Sequence, residues 1–131
     1  MINDKLKKIN IVVLLAGTGS GSKLLQSYFD EHPDILMIPG YILMYFYPHW
    51  DLYLSKMNSW KKIINKFIKL HPSIIDTSKK KGNDYLDKLG NNKKQSIKIN
   101  KKKFLNYLTI ILKEEEINSK NFLIALHLAY A

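Results

Sequence analysis

The run Ile9-Asn10-Ile11-Val12-Val13-Leu14-Leu15-Ala16-Gly17-Thr18-Gly19-Ser20-Gly21-Ser22-Lys23-Leu24-Leu25-Gln26-Ser27-Tyr28-Phe29 decides how this chain is read. Its first part, Ile9 to Leu15, is mostly β-branched residues and leucine at strand length, a pattern suited to a strand covered on both faces. Three glycines alternating with small hydroxyl residues follow. A helix is expected from about Ser22 to Glu31, with Leu24, Leu25, Tyr28 and Phe29 on one face. A strand, a glycine-rich turn and a helix opening from that turn aim several backbone N–H groups at one spot. That spot is also the positive end of a helix dipole, where phosphate and sulfate esters bind.

Working outward, His32-Pro33 ends the helix, because the residue before a proline is pushed out of the α region. Ile35 to Ile38 reads as a short second strand closed by Pro39-Gly40. Residues 1–40 therefore read as a βαβ unit, which implies parallel strands and a right-handed crossover. Beyond residue 40 the pattern turns helical. Tyr41, Tyr45, Phe46, Tyr47, Trp50 and Tyr53 make an aromatic-rich segment that suits helix-packing core, or else a substrate wall. Trp60, Ile63, Ile64, Phe67 and Ile68 recur at helical spacing over about Ser59–Leu70, and His71-Pro72 closes that helix. Residues 77–103 form a lysine-rich connector with one short helix at Asp84–Leu89, and Ser96-Ile97-Lys98-Ile99 is a brief strand or an extended lead-in. Phe104, Leu105, Leu108, Ile111 and Leu112 mark a further helix to about Glu116. Ser119 is the expected N-cap of a last helix, Lys120–Ala131.

The expected fold class is therefore α/β: a P-loop-like parallel sheet with flanking helices, helix-rich after residue 40, in one domain spanning 1–131. Two strands do not bury both faces of a parallel sheet, and Phe122 to Ala131 stops inside an apolar pattern without a C-cap glycine. The expectation is of the N-terminal part of a longer domain, with a missing C-terminal half as a partner.

Bulk properties narrow the function classes. A chain of 131 residues is long enough for one buried core. There is no cysteine, so disulfides and thiolate metal sites are excluded. The net charge is +10, and every basic residue is lysine. Residues 1–50 carry four lysines against four acids, so the whole excess lies beyond the glycine-rich segment. No apolar run reaches the ~18 residues of a membrane span. Lys5, Lys7 and Lys8 before Ile9–Ala16 imitate a signal peptide, but the apolar stretch is short and holds Asn10. A cytoplasmic location is the expectation.

Three phosphate-binding templates can be laid on the glycines. A dinucleotide fingerprint, G-x-G-x-x-G, takes Gly17 and Gly19 but meets Ser22 at its third glycine. Pro39, Gly40 and Tyr41 stand where it needs an acid. A Walker A loop meets Ala16 at its first glycine and has Ser22-Lys23 in reversed order, which misplaces both the phosphate lysine and the magnesium hydroxyl.

The third template fits. Ser20-Gly21-Ser22-Lys23-Leu24, followed by a helix and then His32-Pro33-Asp34-Ile35, resembles the first motif of sulfotransferases that use 3′-phosphoadenosine-5′-phosphosulfate (PAPS). The similarity covers Ile9 to Gly40. It implies that Gly17, Thr18, Gly19, Ser20, Gly21, Ser22, Lys23 and Leu24 line the 5′-phosphosulfate site, with no metal. It also implies sulfuryl transfer to a hydroxyl or amine of a small-molecule or glycan acceptor. The family's basic residue falls at Gly19 here, which leaves Lys23 as the candidate catalytic charge. The family's 3′-phosphate motif has no counterpart before Ala131, so this fragment alone is expected to be inactive or weakly cofactor-binding. No catalytic base is assigned: His32 suits a helix-end role, and His49, His71 and His127 show no metal-ligand spacing. Two other readings stay open. One is a magnesium-dependent nucleotide phosphotransferase. The other is a non-enzymatic basic module binding nucleic acid or another anion through residues 79–103, which the absence of arginine disfavours, so that no nucleic-acid partner is expected.

Overall fold

A computed structural model of the chain describes residues 8–14, 19–29, 32–38, 42–79 and 96–131. Five α-helices run through them: α1 (Ser22–Phe29), α2 (Ile42–His49), α3 (Trp60–Leu70), α4 (Lys101–Leu112) and α5 (Ser119–Tyr130). A π-helix, Trp50–Leu54, continues α2, and a 3₁₀ turn, Pro72–Ile74, follows α3.

The parallel sheet is corrected. The described residues contain no strand, and their β pairing is one isolated antiparallel bridge, Asp76 with Lys98. Ile9 to Leu14 is not helical and is solvent-facing, with Val12 81% exposed, so the apolar run does not become a strand buried on both faces. Ile35 to Ile38 is likewise irregular, and of these residues only Ile38 is buried. The physical reason is that an apolar run makes a strand only when a neighbour supplies the ladder. Among the described residues the core-forming segments are instead helices, which satisfy their own backbone and bury side-chain stripes. Residues 15–18 and 39–41, and the short helix expected at Asp84–Leu89, lie outside the described residues.

The core lies between α2, the π-helix, α3, α4 and α5. α4 and α5, joined by six residues, form an αα-hairpin and the most extensive helix pair. Phe46, Leu54, Ile63, Phe67, Leu108, Leu112, Phe122 and Leu126 are fully buried. Phe122 is the hub of the aromatic cluster. Its ring meets Phe67 edge-on at 5.0 Å and lies 5.8 Å from Trp50, 5.8 Å from Trp60 and 6.1 Å from Phe46. These spacings fall in the range of favourable aromatic pairs. The Trp60 indole N–H also donates to the Glu115 carbonyl at 2.9 Å, tying the start of α3 to the α4–α5 loop.

The helices α3, α4 and α5 each start on a side-chain cap. Ser59 Oγ accepts from the Lys62 amide, Asn100 Oδ1 from Lys103 at 3.0 Å, and Asn118 Oδ1 from Asn121 at 2.8 Å. The cap of α5 is thus Asn118, one residue before the expected Ser119. The π-helix has a covalent cause. Pro48 sits inside α2 and has no N–H for the carbonyl four residues back, so the regular ladder fails there. The chain then closes an i→i−5 bond, Ser55 N–H to Trp50 O at 2.8 Å, and both Trp50 and Leu54 face the core. The aromatic segment therefore divides: Phe46 and Trp50 are core, whereas Tyr47 and Tyr53 are exposed.

Candidate functional site

Gly19 and Gly21 both hold positive φ, +79° and +75°. An L side chain adopts this left-handed backbone only at a cost, so glycine is required by conformation and not by crowding: a Cβ at either position would meet nothing within 4 Å. Gly21 is the turn residue from which α1 opens. Its carbonyl accepts from the Leu24 amide at 2.9 Å and from the Leu25 amide at 3.1 Å, which closes the first turn. The amides of Ser22 and Lys23, at the first two helical positions, have no carbonyl of their own helix in reach. A left-handed glycine followed by helical Ser22 is the alternation that turns successive N–H groups toward one concavity.

The remaining residues expected at the site fall as follows. Ser20 is exposed and Ser22 half-buried at the helix start. Lys23 occupies the second helical position. Leu24, expected to pack, is 62% exposed. Gly17 and Thr18 lie outside the described residues. The turn is therefore open to solvent over Gly19–Ser22, with a helix of two turns behind it.

His32 has a local role. Its carbonyl accepts from Ile35 N–H at 3.2 Å, and its ring Nδ1 accepts from the Asp34 amide at 3.2 Å, so the imidazole closes the His-Pro-Asp-Ile turn. That use of Nδ1 requires the ring nitrogen unprotonated.

Two histidines without any motif spacing meet in space. His49, at the end of α2, puts Nδ1 2.9 Å from Nε2 of His71, the C-cap residue of α3. Tyr45 stacks on His49 at 5.9 Å, Tyr53 lies 5.7 Å from it, and Phe67 lies 4.6 Å from His71. Sequence reasoning missed this pair. The available signals were Pro48, which marks a helix irregularity beside His49, and the His71-Pro72 stop, which puts an imidazole at a helix end.

Two further titratable groups are displaced. The Ser78 hydroxyl, at 2.6 Å from Asp76 Oδ1, holds the Asp76 carboxyl below the ordinary carboxylate range, aided by the Ser78 amide and by Lys98. Burial pushes His127 below the ordinary imidazole value, against the opposing hydrogen bond between Nδ1 and the Leu123 carbonyl at 2.8 Å. Among the described residues no group of three or more His, Cys, Asp or Glu side chains could hold a metal ion. No helix among them is long and apolar enough to cross a membrane.

Comparison with protein-family models, with curated proteins and with solved structures finds no match to this chain.

Proposed function

We propose that the glycine turn binds the 5′-phosphosulfate of PAPS and that the chain belongs to a protein transferring its sulfuryl group to a hydroxyl or amine acceptor. The observation that carries the reading is the pair of left-handed glycines, Gly19 and Gly21, opening directly into α1. It is supported by the Ser20-Gly21-Ser22 and His32-Pro33 spacing of the sulfotransferase motif. The reading rests on the turn and the motif, not on a sheet.

The chemistry asked of the turn is modest. In the transfer, the sulfur–oxygen bond to the 5′-phosphate breaks, a bond from sulfur to the acceptor oxygen or nitrogen forms, and the acceptor loses its proton. Negative charge grows on the departing phosphate oxygen. Fixed backbone N–H donors at a helix start stabilise that charge without reorganising. The amides of Ser22 and Lys23 and the hydroxyls of Ser20 and Ser22 are the donors of this turn. Lys23 is the candidate for the neutralising charge.

The test is calorimetric titration of the full chain with PAPS and with adenosine 3′,5′-bisphosphate, in EDTA and in magnesium. Binding indifferent to magnesium, with PAPS preferred over ATP, is expected. Magnesium-dependent ATP binding would favour a phosphotransferase and overturn the proposal, and the absence of any PAPS heat would overturn binding by this turn on its own.

A further inference from the structure

The glycine turn leaves the His49–His71 contact unused. At 2.9 Å between Nδ1 and Nε2 the two rings, with centroids 4.9 Å apart and inclined at 47°, share one N–H···N hydrogen bond. One ring donates and the other must present a lone pair. A neutral pair satisfies this, and so does a pair carrying a single positive charge. A pair with both rings charged has two N–H groups facing each other, no acceptor, and two like charges in contact.

The surroundings favour one charge and oppose two. His71 stands at the C-terminal end of α3, where the dipole favours a cation, whereas His49 lies within the continuous α2–π run. The faces of Tyr45, Tyr53 and Phe67 also suit one imidazolium. His71 is only 4% exposed, which leaves little water to solvate a second charge. Among the described residues, charged groups stand on α3, on the π-helix and beyond the 3₁₀ turn. Lys66 of α3 sits 5.2 Å over the Tyr53 ring, and Lys69 lies in the last turn of α3. Asp51 is on the π-helix, and Asp76, beyond the 3₁₀ turn, is held by Ser78 and Lys98.

We infer that His49 and His71 form a proton-operated clasp, which joins the α2–π junction to the end of α3 until both rings are charged and then releases it. The elements on either side carry Phe46, Trp50 and Phe67, so release loosens the aromatic cluster around Phe122.

The experiment is thermal unfolding of the full chain at pH 7.5 and 5.5. His127 is a further imidazole, and burial makes it take up its proton less readily in the folded chain, so all proteins carry His127→Gln. In that background, acidification is expected to lower Tm by about 4–7 °C more with the pair intact than with His49→Gln or His71→Gln. Equal acid sensitivity with and without the pair overturns the clasp. If the variants fail to fold, ring-nitrogen NMR of the unmutated chain decides: scalar coupling across the Nδ1–Nε2 hydrogen bond at pH 7.5, lost at pH 5.5, is expected. No such coupling at pH 7.5, or its survival at pH 5.5, overturns it.

Discussion

Replacing Gly21 by alanine isolates the conformational demand of the anion turn from its packing. The added methyl meets nothing within 4 Å, so steric crowding contributes no cost. What remains is the left-handed backbone at φ +75°, which is roughly 1–2 kcal/mol less favourable for an L residue with a Cβ. Because Gly21 and its neighbours are exposed, the turn can relieve that strain by rearranging while the helical core stays intact. The cost should then appear as lost ligand affinity, not as lost global stability. At 1.4 kcal/mol per factor of ten, PAPS binding should weaken about 5- to 30-fold, with Tm unchanged within about 2 °C. Asparagine tolerates the left-handed region better than alanine, so Gly21→Asn should recover part of the loss. Calorimetry on the three proteins reads the affinities, and circular dichroism melting reads Tm. Alanine binding PAPS as tightly as glycine would refute the reasoning, and so would asparagine binding no better than alanine.

The other predictions concern the core, a cap and the pH response. Phe122→Ala removes the ring on which four aromatic neighbours converge, a cost of about 3–5 kcal/mol. With an unfolding entropy of about 2.1 cal/mol/K per residue over 131 residues, Tm should drop by roughly 11–18 °C in a thermal melt. Asn118→Ala should cost about 1 kcal/mol by urea unfolding and Ser119→Ala less than about 0.5, because Asn118 supplies the cap of α5. His127 in the folded chain binds its proton less readily than in the unfolded one. Its contribution is therefore present above about pH 6.5 and lost as pH falls through its lowered folded value, and His127→Gln should flatten urea-derived stability over that window. Asp76 has the same sign in a lower window. Its contribution is present above the ordinary carboxylate range and lost on further acidification, so Asp76→Asn should remove an acid limb below about pH 4.

The helices were legible where a single face alternates cleanly. Ile63, Ile64 and Phe67 announce α3 in the sequence, and Phe104, Leu108 and Leu112 announce α4. The run Ile9–Leu14 misled because an apolar stretch of strand length carries no information about a partner, and strand pairing is non-local. Asn118 and Ser119 are both cap-forming types side by side, and sequence spacing does not choose between them. His49 and His71, 22 residues apart, are joined only by the packing of the π junction on α3. Of the candidate site, the glycine requirement at 19 and 21 and the helix-end role of His32 were readable in the sequence, whereas the exposure of Leu24 was not.

The placement of Phe122 bears on how the protein is made. While residues beyond 118 are still inside the ribosome, Phe46, Trp50, Trp60 and Phe67 have been synthesised but lack the ring they share. Nascent chains of that length carry unsheltered aromatics, the surface that chaperones grip and that drives clumping. Closure must therefore wait for α5, and the emerging polypeptide is most vulnerable until that helix has left the ribosome.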